Sequence, residues 1–327
     1  MWAWHFYERK KPVRVRRSEL TCPGNSMKMM TKAAESNADW VMFDLEDTVP
    51  PAEKEKAREL VVSAFNTLDF KGKVRAFRPN NLRTQYWYED ITYVVSRAGH
   101  NIDIIVLPKI YGPEEIATVD QLLTQLERKL GLEPGKIGLE VLIETAQALV
   151  RLKEICEVSP RLEALIFGVA DFSASIGARE MKRDQHINFL YAKQAVVVHA
   201  KAYGLDAIDC VTLDFKDAET TRKDAEWAAR FGFDGKWVIH PSQIDIVNEV
   251  FTPSDEDIKR SLRIIEEYRK VEKEKGAWAL AIDGEMVDAA TIRVEFKKLL
   301  YAKKAGKLKE LDIPKDIFEG VEFEVSH

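Results

Sequence analysis

Short apolar runs alternate along the chain with longer stretches in which apolar residues recur every three or four positions. Where such a run is apolar on both faces, as from Ile137 and from Leu162, a buried parallel strand is expected; eight of the runs are strand-length. They lie near Ser18–Cys22, Trp40–Glu46, VRAFRPN (74–80), IDIIVLPK (102–109), Ile137–Glu144, Leu162–Asp171, Leu205–Cys210 and KWVIH (236–240). Helical spacing fills the intervals: MKMMTKAAES after the turn and cap signal PGNS, a charged segment opened by Pro50 and Pro51, about Thr84 to Ala98, from Pro113 onward, TAQALVRLKEICEV, and Ile187–Tyr203. Eight β–α units over about 230 residues predict an α/β protein, a (β/α)8 barrel, for which about 250 residues is typical. The barrel is expected over 16–251, with a basic, aromatic N-terminal arm at 1–15. A C-terminal helical lid and tail at 252–327 would hold two charged helical segments joined by GAWALAIDGEMVDAAT.

In a parallel barrel the carboxyl ends of the strands share one rim. Glu144 and Asp171, each read as ending a strand, should therefore converge there. Two hard oxygen donors with room left for water and substrate suit Mg²⁺. Each acid could instead cap the helix that follows it, and the pair alone leaves both readings open. The same rim gathers Asp44, Glu46, Asp47, Arg78, Lys109, Asp214 and His240. A purely structural barrel has no reason to collect so many ionisable groups at one end, so the clustering favours an active site. Pro79 removes a ladder donor, so the third strand should stop at Arg78. His240 precedes a proline and reads equally as a structural or a catalytic histidine; Cys22 reads as a small buried hydrophobe.

Composition narrows the function classes. With 46% hydrophobic and 31% charged residues and a net charge of −5, nothing favours nucleic acid as a partner. No apolar run approaches a membrane span. Cys22, Cys156 and Cys210 contain no CxxC, which argues against a disulfide framework or a zinc site and fits a reducing, cytoplasmic location. The opening MWAWHFYERKKPVRVRR lacks the apolar stretch of a secretory signal, and the absence of Ser before Ser18 disfavours a mitochondrial presequence. An arm packed on the barrel or on a neighbouring subunit is the better reading.

The motifs FDLEDTV, Arg-Pro-Asn-Asn, LPK, LIET, FGVADFSASIGA, IHPSQI and IDGEMVD together resemble the citrate lyase β-subunit-like group of the HpcH/HpaI aldolase superfamily. Within it the chain looks like malyl-CoA, β-methylmalyl-CoA and citramalyl-CoA lyases, from about Arg16 to Tyr301. The resemblance implies a barrel with a C-terminal lid, Mg²⁺ (Mn²⁺ able to substitute), and reversible cleavage of a 3-hydroxyacyl-CoA thioester to a short acyl-CoA and a 2-oxo acid. It also implies homo-oligomers, trimers or hexamers, in which the lid reaches a neighbouring subunit's site. By the same resemblance Glu144 and Asp171 are the metal ligands. Arg78 grips the 2-oxo acid, helped by backbone N–H groups from Gly168 to Asp171. Asp288 is the lid carboxylate acting at the acyl carbon, unless it only caps the helix beginning near Ala289. Arg17, Lys28 and Lys32 are placed around the first βα loop, where the family binds CoA phosphates. Asp44, Glu46, Asp47, Lys109 and His240 are candidates to surround these groups. Pro79 stands where the family usually has an aliphatic residue. The short loop after Asp171 leans toward citramalyl-CoA lyases, whereas FGVAD and NNL…YWYED lean toward malyl-CoA lyases. Two other readings stay open: a citrate lyase β-subunit working within a complex, and an aldolase on free hydroxy acids.

Overall fold

Eight parallel strands pair in sequence order and the last returns to the first, closing a barrel. They are β1 (Ser18–Pro23), β2 (Trp40–Asp44), β3 (Val74–Arg78), β4 (Ile104–Leu107), β5 (Gly138–Ile143), β6 (Leu162–Phe167), β7 (Asp206–Asp209) and β8 (Gly235–Val238). The helices between them are α1 (Met27–Glu35), α2 (Lys54–Thr67), α3 (Trp87–Ala98), α4 (Pro113–Leu130), α5 (Ala146–Val150), α6 (Leu152–Glu157), α7 (Val169–Ile176), α8 (Gln185–Asn188), α9 (Leu190–Ala202) and α10 (Ala218–Phe231), and α11 (Ile244–Val250) follows β8. The architecture is a (β/α)8 barrel. This is a computed structural model, and it describes residues 7, 9–182, 185–275 and 279–309. Among them no helix is long and apolar enough to cross a membrane.

The strands are buried on both faces because each face has its own partner layer. Trp40, Met42, Val74, Ala76, Ile104, Val106, Leu142, Ala164, Ile166 and Ile208 fill the barrel interior. Alternate positions point the other way: Phe43 of β2 meets Phe65 of α2 at 5.0 Å between ring centroids. At the amino end of the strands the interior becomes polar. Arg16 inserts there and pairs with Glu140, Glu163, Asp206 (3.0 Å) and Glu19 (3.7 Å). Arg9 and Arg14 of the N-terminal arm also reach Glu163, and the Tyr7 hydroxyl donates to Asp120 at 2.6 Å. Residues 1–6 and 8 of the arm lie outside the described residues. A Cβ at Gly235 would run into the backbone of Arg16, so β8 can close against this segment only through glycine.

Glu19 is wholly buried in that polar layer, and its pKa is pushed up to about 8, burial outweighing the attraction of Arg16. A carboxyl raised in this way contributes stability that is complete below the unfolded value of 4.5 and is lost as pH rises toward 8. Glu19→Gln is therefore expected to flatten the unfolding profile between those limits and to stabilise the chain by about a few kcal/mol at pH 8. Thermal unfolding across pH checks it; an unchanged profile would show that the charge is accommodated.

A second compact unit begins at Glu249. It contains α12 (Asp255–Lys275), an antiparallel hairpin of β9 (Ala279–Ile282) and β10 (Glu285–Asp288), and α13 (Ala289–Lys304). Ile258, Ile265, Tyr268, Ile282, Val287, Phe296 and Leu299 form its core. The hairpin corrects the expectation of a plain connection between two helices. Its turn residues Asp283 and Gly284 both have positive φ, 53° and 82°, the conformation that an Asp-Gly pair favours in a two-residue hairpin. Residues 276–278 and the tail 310–327 lie outside the described residues.

Candidate active site

β2 and β3 deliver the first pair. Asp44, the last residue of β2, and Arg78, the last of β3, are register partners. Arg78 donates through Nε and Nη2 to the two oxygens of Asp44, at 2.7 and 2.8 Å. Asp44 also accepts from the Glu46 and Thr48 backbone N–H groups (2.9 and 3.1 Å) and the Thr48 hydroxyl (2.7 Å). Burial alone would raise its pKa, but Arg78 and these donors hold it down at about 2. The Arg78 pKa rises in turn: burial opposes the charge, and Asp44, Glu46 and Glu144 outweigh it. Two of the three guanidinium nitrogens are thus committed. Nη1 stands 3.4 Å from Glu46 Oε2, an oxygen with no hydrogen-bond partner.

β4, β5 and β6 deliver the acids. Glu144 follows β5 directly and is 2% exposed. Its Oε1 accepts from the Lys109 backbone N–H at 2.7 Å. Lys109 takes a left-handed φ of 48°, a strained conformation for a non-glycine residue. Its ammonium meets Glu46 (2.9 Å), Asp47 (2.7 Å) and Asp171 (3.8 Å), and these acids raise its pKa against the opposing effect of burial. Glu144 is pushed up to about 8, first by burial, with Asp171 and Glu46 adding to the rise and Arg78 working against it. A Cβ at Gly168 would lie 2.7 Å from the Glu144 side chain, so glycine is what lets Glu144 occupy this space.

Several sequence-derived placements change. β2 ends at Asp44, leaving Glu46 and Asp47 in the following loop. β6 ends at Phe167, not at Asp171. The chain turns at Gly168, and Asp171 is the third residue of α7, with its side chain 41% exposed. β8 ends at Val238, so His240 lies beyond it. His240 caps the turn at Pro241–Gln243, bonds Ser242 and stacks on Phe215 at 4.7 Å. Arg17 is not at the first βα loop. It precedes β1, at the opposite end of the strand, and binds Asp39 through Nε and Nη2 at 2.8 and 2.7 Å. Lys28 and Lys32 do follow that loop, exposed on α1. Asp214 is exposed. Asp288, in the second unit, caps α13, accepting from the Thr291 backbone N–H at 2.9 Å, a bond that lowers its pKa. The third strand does stop at Arg78.

Three groups escaped the sequence reading. Thr48 orients Asp44. Asn80 donates to Asp90 and to the Leu45 carbonyl (2.6 and 2.9 Å), bracing the loops after β2 and β3. Trp237 of β8 lies with its ring 5.5 Å from the Arg78 guanidinium carbon. Thr48 and Asn80 sit inside quoted motifs, which was the available signal; Trp237 read only as strand.

Chemically, the barrel offers a guanidinium with two nitrogens on Asp44 and the third toward Glu46, opposite buried and exposed acids that repel one another. No cluster of three or more His, Cys, Asp or Glu able to hold a metal occurs among the described residues. Glu144 and Asp171 are two hard donors, the number Mg²⁺ commonly takes from protein when water and substrate supply the rest. A cation there would offset the burial of the Glu144 charge and the repulsion that Asp171 and Glu46 add to it.

Residues 17–241 match the family described as HpcH/HpaI aldolase/citrate lyase. The chain belongs to that family. L-malyl-CoA/β-methylmalyl-CoA lyase of Cereibacter sphaeroides is 35% identical over 297 residues, covering 86% of this chain and 93% of the relative. Human mitochondrial citramalyl-CoA lyase is 35% identical over 288 residues, covering 85% and 83%. Among solved structures, CitE of Mycobacterium tuberculosis in complex with magnesium, acetoacetate and coenzyme A superposes with a TM-score of 0.72 at 27% identity, covering 88% of this chain and 97% of that one. As a member of the HpcH/HpaI family with such relatives, this protein is a carbon–carbon lyase.

Proposed function

We propose that this HpcH/HpaI family member reversibly cleaves a 3-hydroxyacyl-CoA such as malyl-CoA, β-methylmalyl-CoA or citramalyl-CoA. The products would be acetyl-CoA or propionyl-CoA and glyoxylate or pyruvate, with Mg²⁺ held by Glu144 and Asp171. The observation that carries the proposal is the pairing of these two acids, tied together by Lys109, opposite an Arg78 whose Nη1 is held only by a 3.4 Å approach to Glu46.

The hydroxyl gives up its proton to water at the rim and becomes an oxo group as the bond between C2 and C3 breaks. The bonding electron pair passes to the acyl carbon, where the thioester carbonyl delocalises it as an enolate. Glu144 and Asp171 would hold the Mg²⁺, which would supply Lewis acidity to the 2-oxo acid fragment. Arg78, locked by Asp44, presents Nη1 to the carboxylate of that fragment and to the oxygen that bears the alkoxide charge before the bond breaks. Backbone N–H groups at the start of α7 face the same carboxylate. Lys109 keeps Glu144 in place through its backbone and balances Glu46, Asp47 and Asp171 through its ammonium. Lys28 and Lys32 hold the CoA phosphates. Asp288, on a lid that reaches a neighbouring subunit of a trimer or hexamer, returns a proton to the acyl carbon in cleavage and removes it in condensation.

Arg78→Lys keeps the charge but loses the fork, because one ammonium cannot satisfy both Asp44 oxygens and still serve the substrate. It is expected to lower kcat/KM by about 10²–10³-fold. If lysine works within a few-fold of wild type, Arg78 is only a positioning charge.

The proposal is tested by a condensation panel, acetyl-CoA or propionyl-CoA with glyoxylate or pyruvate, on the chain expressed alone and sized by gel filtration. Product formation is expected with Mg²⁺, lost in excess EDTA, and restored by Mg²⁺ or Mn²⁺. Full activity in EDTA would remove the metal role. Turnover of free hydroxy acids without CoA esters would favour the aldolase reading, and dependence on an acyl-carrier partner the citrate lyase reading.

A further inference from the structure

We infer that Trp237 is the residue that sets the size of the 2-oxo acid; the inference rests on the lyase reading above. Below the rim the barrel is filled by the buried cluster from Trp40 to Ile208, and Trp237 is the partly buried side chain packed on that cluster. It is the third residue of the four-residue β8, near the carboxyl end where the charged groups gather. Its ring lies 5.5 Å from the Arg78 guanidinium carbon, and its Nε1 donates to the Thr21 hydroxyl of β1.

The indole is therefore held from three sides. The packed interior supports it, Thr21 fixes its tilt, and Arg78, itself clamped by Asp44, lies over it. An oxo acid that turns its carboxylate and oxo oxygen toward Arg78, Glu144 and Asp171 has one group left without a polar partner, the substituent on its oxo carbon. That substituent is a hydrogen in glyoxylate, a methyl in pyruvate and an ethyl in 2-oxobutyrate. The flat apolar surface beside Arg78 is the indole, and a ring held from three sides cannot retreat from a longer chain. A single methylene against such a wall is worth about 10–200-fold in discrimination.

The test compares wild type with Trp237→Leu, which opens the space, Trp237→Phe, which keeps an aromatic ring but is smaller, and Thr21→Val, which leaves the indole but frees its tilt. Binding of glyoxylate, pyruvate and 2-oxobutyrate in Mg²⁺ is measured by calorimetry, and condensation of each with acetyl-CoA by kcat and KM. Wild type is expected to bind 2-oxobutyrate at least about 10-fold more weakly than the smaller acids. In Trp237→Leu the ratio of 2-oxobutyrate to glyoxylate affinity should rise about 10-fold or more, with Trp237→Phe between the two and Thr21→Val moved a few-fold the same way. Should the leucine variant fail to fold, the other two decide by the same ratio. Equal losses for all three acids, or unchanged ratios, would overturn the inference and leave Trp237 as a support for Arg78. A wild type that binds none of the acids would overturn the lyase reading itself, and the inference with it.

Discussion

Glu144→Gln is expected to abolish turnover while leaving the barrel folded. The amide matches the carboxylate in shape, and its oxygen can still accept the 2.7 Å bond from the Lys109 N–H. What it removes is the charge. Burial pushes the Glu144 carboxyl up to about 8, so without metal the site already favours a neutral group. The variant should then melt no lower than wild type at neutral pH. Mg²⁺ binding, measured by calorimetry, should be lost, and several kcal/mol of transition-state stabilisation should go with it, roughly 10³-fold in rate or more. Activity within tenfold of wild type would mean that Glu144 is a buried acid of the fold and not a ligand.

Asp288→Asn should be stable and nearly inactive. The structure gives Asp288 a definite local job as the cap of α13, with Thr291 donating from its backbone and from its hydroxyl at 2.9 and 3.1 Å. Asparagine caps about as well as aspartate, so that job survives the change. Asparagine cannot move a proton, and loss of a positioned acid or base costs roughly 10²–10⁴-fold. A fully active variant would leave Asp288 as a cap alone. If the lid serves a neighbour, coexpressed Asp288→Ala and Glu144→Ala chains should regain part of the activity, because some sites would pair an intact barrel with an intact lid. No rescue in verified mixed oligomers, with an inactive Asn variant, would place each lid over its own barrel.

The barrel was legible because eight short runs of strand length alternate with stretches of helical spacing, and the rim because Asp44, Arg78, Lys109 and Glu144 fall at or just past strand ends. The reading failed where a short apolar run hides a change of period. Phe167, Val169 and Phe172 look continuous, but Gly168 lies against Glu144 and the chain turns into α7 there, carrying Asp171 from a strand end to a helix. Arg17 was misplaced by proximity in sequence: six residues of β1 separate it from the loop it was assigned to. The β9–β10 hairpin had a signal, Asp283-Gly284 between the short runs ALAI and EMVD, but it lay in a stretch read only as a connection. Trp237 could not be singled out, since a tryptophan in a buried strand is ordinarily core; its meeting with Arg78 depends on β8 and β3 lying across the barrel from one another.

The seam between β1 and β8 also orders events in time. Ser18 pairs with Lys236, and Gly235 must slide past Arg16. At about 5–20 residues per second, a ribosome makes the last strand roughly tens of seconds after the first. Until then the barrel has no eighth strand to seal against β1, and Arg16 lacks the Gly235 backbone that packs on it. Because Trp237 arrives only with β8, a truncated product lacking that strand would have Arg78 without its aromatic neighbour. The seal of the barrel and the aromatic neighbour of Arg78 come with the same last strand.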